Sequence, residues 1–283
     1  NIFKETKIRR FWAKDPSSKY RPLLLKKLYP YLPQMNNANN NVLKMFFGYK
    51  LKETSSPVYS HLLRWNNTSR LNNYLSKEYR DSIGDYNPIK DIEQKFSEKL
   101  TGLDSLAKAQ WIELNIFMSG YLLSSQGDRM GMANSIEGRY PFLDHRVIEF
   151  CMGLHPDLKL NGLNEKYLLK KLMKDRLPDI ILNRPKQAYR APIRSSFISD
   201  NLPTYLKDML SEAAILQAGI FNPDHVKQLL NKMKTKNQVS EIDNMAITAI
   251  LSTQILNDLF INRSIQELSE DELVTLDKSI LDF

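Results

Sequence analysis

The chain has 283 residues, enough for one large domain or two small ones, and its 42% hydrophobic and 25% charged residues are ordinary for a soluble globular protein. One cysteine excludes an intrachain disulfide framework, and the absence of an eighteen-residue apolar run or a signal peptide argues against membrane insertion and secretion. We therefore expect a cytoplasmic protein, with a net charge of +8 that is unevenly distributed.

The first notable segment is basic. Residues 4–27 hold nine Lys or Arg and only two acids, Glu5 and Asp15. Such an excess can indicate nucleic-acid binding. Here the cations alternate with Leu-Leu-Leu and Tyr-Pro, which favours amphipathic helices whose charged faces lie in water, so we do not expect a nucleic-acid partner.

Predicted helices then follow one another, interrupted by loops at 36–41 and 55–57. In residues 110–123, apolar side chains recur at helical spacing and predict a helix whose apolar stripe faces a core: Trp111, Leu114, Phe117 or Met118, and Tyr121. We expect Trp12, Trp65 and Trp111 to be packing groups.

Later helices have recognisable ends. Asp144 is a good N-cap for a helix through Leu154, in which we expect Cys151 to be buried. Asn164 is expected to cap a helix over 165–176 that Pro178 stops, and residues 242–261 read as a buried helix. Strand signals are few, so the predicted class is mainly α: a helical domain over 1–265 and an acidic tail over 266–283.

Two connectors concentrate charge between apolar helical segments. The first is Ser135-Ile-Glu-Gly-Arg-Tyr-Pro-Phe-Leu-Asp144, and the second is Arg184-Pro-Lys-Gln-Ala-Tyr-Arg-Ala-Pro192. Charges near a core are costly unless they are paired or have a polyanionic partner. The two connectors therefore predict a functional surface.

The same residues carry a family resemblance. Residues 137–146 resemble the E-x-R-x-P-F-L-D-x-R segment of glutamine-hydrolysing asparagine synthetases and of asparagine-synthetase-like amidotransferases, and Asp128-Arg-Met-Gly-Met-Ala-Asn134 resembles their D-R-M-S-M-A-N run. Leu158-Lys-Leu160, Lys166-Tyr-Leu-Leu169, Leu177-Pro-Asp179 and Arg184-Pro-Lys-Gln187 continue the match in order. The resemblance is dense over 121–197 and weak over 244–261.

The resemblance implies a fold and an incomplete chain. The family's phosphate-binding S-G-G-x-D-S loop and acidic magnesium loop have no counterpart, since the ten glycines include no Gly-Gly pair, and the glutaminase cysteine is absent too. The chain begins at Asn1 rather than methionine. It is expected to be the helical C-terminal lobe of an ATP-pyrophosphatase-type (adenine nucleotide alpha hydrolase-like) synthetase domain, without its nucleotide-binding α/β part and inactive alone.

The reaction implied by the resemblance is amide formation. A substrate carboxylate attacks the α-phosphate of Mg-ATP to give an acyl-adenylate and pyrophosphate, and glutamine-derived ammonia then displaces AMP. Lys186 matches the family's lysine that contacts the phosphates and the forming intermediate, and a compact ammonium suits moving oxygen charge. Lys186 is thus the predicted catalytic residue, with a solvated loop lysine as the alternative.

The other candidates for the substrate and ATP pocket leave two interpretations open. Glu137 and Arg139 either line the pocket or form a buried ion pair that fixes the loop, and Asp128 and Arg129 carry the same ambiguity. In the second connector the further candidates are Arg184 and Arg190. Asp144 is favoured as a helix cap over a catalyst.

No protein metal site is predicted. The four histidines, at positions 61, 145, 155 and 225, lack metal-ligand spacing, and a single cysteine adds nothing to it. The expected cofactors are ATP and Mg²⁺, with the magnesium loop outside this chain.

Substrate and partners remain open at this point. Gln126 replaces a basic residue usual in asparagine-forming relatives, and Ala188-Tyr-Arg190 departs from their continuation, so a carboxylic acid other than aspartate is favoured. Expected partners are ATP, that small acid, and upstream nucleotide-binding and glutaminase domains, with a homodimer as one candidate assembly. The alternatives are a non-catalytic helical module that pairs with a nucleotide-binding chain, a basic nucleic-acid binder, and a β-lactam-forming relative.

Overall fold

The computed structural model describes residues 2–30, 37, 39–186, 192–198, 203–236 and 239–262. Helix predominates throughout these ranges, which confirms the prediction of a mainly α protein. None of their helices combines the length and the apolar character needed to cross a membrane. Arg190 and the acidic tail 266–283 lie outside the described residues, so the boundary predicted at 265 stays a prediction.

The helices are short and numerous. In chain order they are α1 (Ile2–Ala13), α2 (Asn40–Phe47), α3 (Tyr59–Ser69), α4 (Lys77–Ile83), α5 (Pro88–Leu100), α6 (Ser105–Ile112), α7 (Arg129–Ala133), α8 (His145–Gly153), α9 (Pro156–Lys159), α10 (Tyr167–Leu172), α11 (Asp179–Leu182), α12 (Ile193–Phe197), α13 (Thr204–Met209), α14 (Glu212–Ala218), α15 (Pro223–Thr235) and α16 (Glu241–Asn257). The 3₁₀ helices are Arg21–Lys27, Arg70–Tyr74 and Pro141–Leu143, and the π-helical segments are Glu113–Asp128 and Asp258–Asn262. Strands β1 (Leu160–Asn161) and β2 (Asn164–Glu165) form an antiparallel hairpin.

The chain divides into two compact units. Unit 1 comprises Asn1–Asn67 and Asn87–Tyr189, and unit 2 comprises Thr68–Tyr86 and Arg190–Phe283. Unit 1 has two apolar clusters. One joins α1, the first 3₁₀ helix, α2 and α3 through Ile8, Trp12, Leu25, Leu28, Leu43, Phe47, Leu51 and Leu63, and the other joins α3, α5 and α6 through Val58, Tyr59, Leu62, Leu100 and Ile112.

The tryptophans behave as predicted. Trp12 is buried in the first cluster, and Trp65 and Trp111 are half-buried against the second. All three therefore belong to unit 1, which makes tryptophan fluorescence a specific reporter of that unit.

Unit 2 has its own core around α14, α15 and α16, built from Ile215, Phe221, Val226, Leu229, Met233, Ala246, Ile247 and Ile250. Ser240 and Asp243 form a capping box at the start of α16. Burial alone would raise the pKa of Asp243, but hydrogen bonds from Lys232, at 2.8 Å, and from Ser240 outweigh burial and lower it. Asp243 thus ties α16 to α15.

Asn164 is a correction to the sequence prediction. It does not cap a helix over 165–176 but lies in β2, and the helix that follows is only α10. The turn at Gly162 has a φ of +56°, which glycine adopts without strain, so the chain reverses there. A 3.1 Å salt bridge between Lys4 and Glu165 holds the hairpin against α1.

Three predictions of burial were wrong in part. The stripe over 110–123 faces a core only at its start, where Trp111 packs against the second cluster, while Phe117 and Tyr121 are 39% and 47% exposed. The π-helical winding that begins at Glu113 disperses a stripe spaced for an α-helix. Cys151 is exposed, since nothing in the described residues covers its helix α8. The helix over 242–261 is buried only along α16 positions that face the unit 2 core, and Phe260 is exposed.

Candidate functional site

The residues that carry the family motifs occupy one long part of unit 1, which we call the motif segment (residues 113–186). All its residues are described, and only Leu160 and Leu182 among them are buried. Every predicted site residue within it is exposed, in contrast to the well-packed clusters of α1–α6. The motif segment is therefore a surface that the rest of the described unit does not cover.

The start of the motif segment is anchored by a buried polar group. Glu113, the first π-helical residue, accepts hydrogen bonds from His61 Nε2 at 3.1 Å and Arg64 Nη1 at 2.9 Å. His61 is 3% exposed, and its Nδ1 lies 2.8 Å from the Ser60 hydroxyl. These contacts are consistent with a neutral imidazole that accepts from Ser60 and donates to an ionised Glu113.

Asp128 and Arg129 lie where the π-helical segment passes into α7. Beyond α7 the chain folds back, since the Ile136 amide donates to the Gly131 carbonyl at 2.8 Å. The Tyr140 phenol packs on Gly138, where an added Cβ would clash with the ring, and a Cβ on Gly127 would lie 3.8 Å from the phenol oxygen. The fold thus brings Gly127, the neighbour of Asp128, close to Tyr140, the neighbour of Arg139.

Glu137 and Arg139 form an ion pair of 2.7 Å, with side chains 71% and 80% exposed. The pair anticipated from the sequence therefore exists, but within this chain it is exposed rather than buried. Asp144 caps α8 as predicted, accepting from the Arg146 amide at 2.9 Å. Hydrogen bonds from the Arg146 side chain and backbone lower the pKa of Asp144 below its ordinary value.

Arg184 and Lys186 follow α11 in an irregular, exposed stretch. No salt bridge of the described residues involves either side chain, so both cations are available to an anionic ligand. Arg190, the last candidate, lies outside the described residues. The structure brings Glu137 together with Arg139. Among the described site residues, no hydrogen bond or salt bridge joins Lys186 to the others.

The motif segment also exposes many large apolar side chains. The most exposed, at 56% or more, are Met130, Met132, Ile136, Phe142, Phe150, Leu172 and Ile180. Scattered exposed hydrophobic residues are normal, but a concentration of them in one part of a chain typically marks an interface. The polar candidates and these apolar groups alternate along the same segment.

Two buried polar features of unit 1 were not predicted from the sequence: the Arg9 guanidinium and the His61–Glu113 pair. Arg9 was read as part of a wet basic face, yet it is fully buried, donating to the Phe47 carbonyl at 3.0 Å and to the Tyr49 carbonyl. The His61–Glu113 pair joins residues 52 apart in sequence, so no local pattern could reveal it. The one local signal for the burial of Arg9 was its place in α1, next to Ile8 and three residues before Trp12, both of which are apolar.

The buried His61 makes unit 1 sensitive to acid. Burial lowers the pKa of His61 more than its hydrogen bond to Glu113 raises it. When the pKa of a histidine is lower in the folded state than in the unfolded state, the unfolded state binds the proton first as pH falls. The histidine's contribution to stability is therefore complete above the unfolded pKa of about 6.5 and is lost as pH falls from there through the pKa of the folded state. We expect the unfolding free energy of unit 1 to fall as pH drops below about 6.5, with a slope of at most about 1.4 kcal/mol per pH unit, the limit for one proton.

This pH dependence can be measured by urea unfolding followed by tryptophan fluorescence. Trp65 lies 5.1 Å from the His61 ring and reports on it directly. In His61→Gln, whose amide can still donate to Glu113, the slope between about pH 6.5 and 5 should flatten. The matched control is His155→Gln, an exposed histidine of unit 1. Equal slopes in wild type and His61→Gln would contradict the assignment.

A sequence profile of the Asparagine synthase family matches residues 17–255. Curated relatives include asparagine synthetase [glutamine-hydrolyzing] 1 of Bacillus subtilis, 29% identical over 51% of this chain and 23% of its own length. Asparagine synthetase [glutamine-hydrolyzing] 3 of the same species is 33% identical over 44% of this chain and 19% of its own, and the amidase chyE of Penicillium rubens is 31% identical over 46% and 20%.

No solved structure matches the chain significantly. The chain spans about a fifth of the length of these curated relatives. The profile, by contrast, covers most of this chain, including the whole motif segment with its exposed Asp128, Glu137–Arg139 and Lys186. The chain therefore belongs to the asparagine synthase family.

Proposed function

We propose that this chain is the helical part of an ATP-dependent amidotransferase that adenylates a carboxylic acid and converts it to an amide with glutamine-derived ammonia. The observation that carries the proposal is the motif segment, which concentrates the family's charged residues and large apolar side chains on an uncovered surface. The occupant of that surface would be a nucleotide-binding part of a longer polypeptide. The curated relatives are such longer polypeptides, since this chain spans about a fifth of their length. Burial of the apolar residues against it would provide the driving force.

Lys186 would act on the phosphates. Attack of a carboxylate on the α-phosphate forms the acyl–phosphate bond and breaks the bond to pyrophosphate, which increases negative charge on the leaving oxygens. An ammonium positioned there stabilises the transition state most when water is excluded. The exposed Lys186, with no carboxylate partner among the described residues, would acquire that dry environment when the nucleotide-binding part covers it.

The acceptor side would be formed by the paired Glu137 and Arg139 and by Asp128 and Arg129. Arg139 offers a planar guanidinium suited to a carboxylate. The substrate carboxylate would bind it by replacing Glu137, its present partner. A carboxylic acid other than aspartate remains the favoured acceptor, because Gln126 stands where asparagine-forming relatives have a basic residue. The described residues contain no group of three His, Cys, Asp or Glu side chains placed to hold a metal ion.

A second candidate function is a non-catalytic module that binds a separate nucleotide-binding chain. The exposed apolar residues of the motif segment support this module as well as they support the enzyme, since they indicate a binding partner but do not by themselves indicate catalysis. Tolerance of substitutions at Lys186 distinguishes the module from the enzyme. A cytoplasmic location and a homodimer stay predictions.

The test compares the 283-residue chain with a longer polypeptide that contains it and a nucleotide-binding part. We expect pyrophosphate release from Mg-ATP, dependent on a carboxylic acid and ammonia, from the longer polypeptide and none from the chain alone. A panel of acids that includes aspartate identifies the acceptor. Amide formation by the 283 residues with no added chain would overturn the proposed division, and no release with any acid from the folded longer polypeptide would favour the module.

A further inference from the structure

Unit 1 contains a polar cavity that the proposed function does not use. It has a volume of about 410 Å³ and is bounded by α1, the turn at residues 54–57 and the start of α6. None of its lining residues belongs to the motif segment. A second hollow of about 540 Å³ adjoins it, and the two share Arg10 and Thr54. The dimensions suit one small polar molecule in each hollow and not a polymer.

The walls carry an excess of positive charge. Arg10 Nη1 donates to the Thr54 carbonyl at 2.8 Å, which holds the guanidinium at the boundary of the two hollows. Lys108 lines the first hollow, and Lys14 and Lys52 line the second. Within the described part of the chain, no carboxylate lies within salt-bridge distance of any of these four cations. Their charge is therefore not neutralised by the protein.

The one carboxylate in either lining is already engaged. Asp104 caps α6, accepting from the Leu106 amide at 2.8 Å and the Ala107 amide at 3.2 Å. The cap also satisfies the first-turn amides of α6, so the positive character of the cavity comes from Arg10 and Lys108 and not from the helix end.

Hydroxyl donors complete the first hollow. The side chains of Thr54, Ser55 and Ser105 line it and make no hydrogen bond to another described residue. A wall of cations and free hydroxyl groups, with few apolar side chains, is complementary to a ligand that has several charged oxygen acceptors and a polar body. A phosphate group matches this pattern better than a single carboxylate, because it offers more acceptor oxygens to the several donors that line the cavity.

We propose that the cavity between α1 and α6 is a binding site for a small phosphorylated polar molecule, with Arg10 and Lys108 holding the phosphate and the Thr54, Ser55 and Ser105 hydroxyls facing its polar body. The site is separate from Lys186 and the acceptor residues. The cavity site can therefore be tested separately from the proposed amidotransferase activity.

The test is calorimetric titration of the 283-residue chain with three probes: ribose 5-phosphate, inorganic phosphate and ribose. We expect ribose 5-phosphate to bind, ribose not to bind, and binding to weaken when ionic strength is raised to about 0.15 M. Comparable affinity for inorganic phosphate would assign the site to free phosphate, whereas weaker binding would assign it to an organic phosphate. Failure of both anions to bind would overturn the proposal.

Variants locate the bound anion. Lys108→Gln and Arg10→Gln should each weaken binding about tenfold, the effect of losing one charge-assisted hydrogen bond. Lys186→Gln and Lys90→Gln, an exposed lysine of α5 outside both hollows, should bind as wild type. Tryptophan-monitored unfolding confirms that each variant is folded. Binding that survives Lys108→Gln but is lost in Lys186→Gln would place the anion on the motif segment and refute the cavity site.

Discussion

Replacing Lys186 with alanine is expected to reduce pyrophosphate release by the longer polypeptide about 10²–10³-fold, with little effect on folding. The reason is that an ammonium aimed at developing phosphate charge acts mainly in the transition state, where a neutral methyl group offers nothing. Because the side chain is exposed in this chain and no salt bridge of the described residues involves it, its removal leaves no unpaired charge behind. The measurement is the rate of pyrophosphate formation with saturating ATP and the acceptor acid.

Two companion variants sharpen this result. Lys186→Arg retains the charge but spreads it over a planar group, so partial activity is expected. Lys174→Ala removes another exposed lysine of the motif segment and should leave the rate unchanged. A rate within about threefold of wild type in Lys186→Ala, in a polypeptide that releases pyrophosphate, would remove Lys186 from the chemistry.

Replacing Arg9 with alanine is expected to lower the unfolding free energy of unit 1 by about 3–5 kcal/mol. The guanidinium is fully buried, donates to the Phe47 carbonyl at 3.0 Å, and lies 4.8 Å from the centre of the Tyr59 ring. Its Nη1 is 3.7 Å from Glu5, whose pKa burial already raises. Removal of Arg9 takes a cation away from the half-buried Glu5 carboxyl and leaves the Phe47 and Tyr49 carbonyls without their donor.

Urea unfolding followed by tryptophan fluorescence measures this loss in unit 1 alone. Lys14→Ala, at an exposed position just after α1, should change stability by less than about 0.5 kcal/mol. If the buried Glu5 contributes to the penalty, Arg9→Ala/Glu5→Gln should recover part of it, because the double variant buries no unpaired carboxyl group. A loss below about 1 kcal/mol in Arg9→Ala would mean that the guanidinium is replaceable by solvent.

Short-range features of the motif segment could be predicted from the sequence, while the roles of its site residues stay predictions. The charged connectors, the Asp144 cap and the Glu137–Arg139 pair could be read from neighbouring residues, since each depends on contacts within a few positions along the chain. The apolar stripe at Phe117 and Tyr121 could not, because periodicity identifies which residues share a face but not whether anything covers it. Burial depends on a partner, and the described residues leave Phe117 and Tyr121 largely uncovered.

Local chemistry alone was sufficient to specify the helical class and the family, because helix periodicity, caps and short motifs are properties of consecutive residues. Tertiary structure alone decided that Arg9 is buried, that His61 meets Glu113, and that Arg10 and Lys108 line one cavity. These pairs lie 38 to 98 residues apart in the chain, as Arg9 from Phe47 and Arg10 from Lys108 illustrate. Residues so distant meet only when packed helices bring them together, and no local pattern encodes which helices will pack.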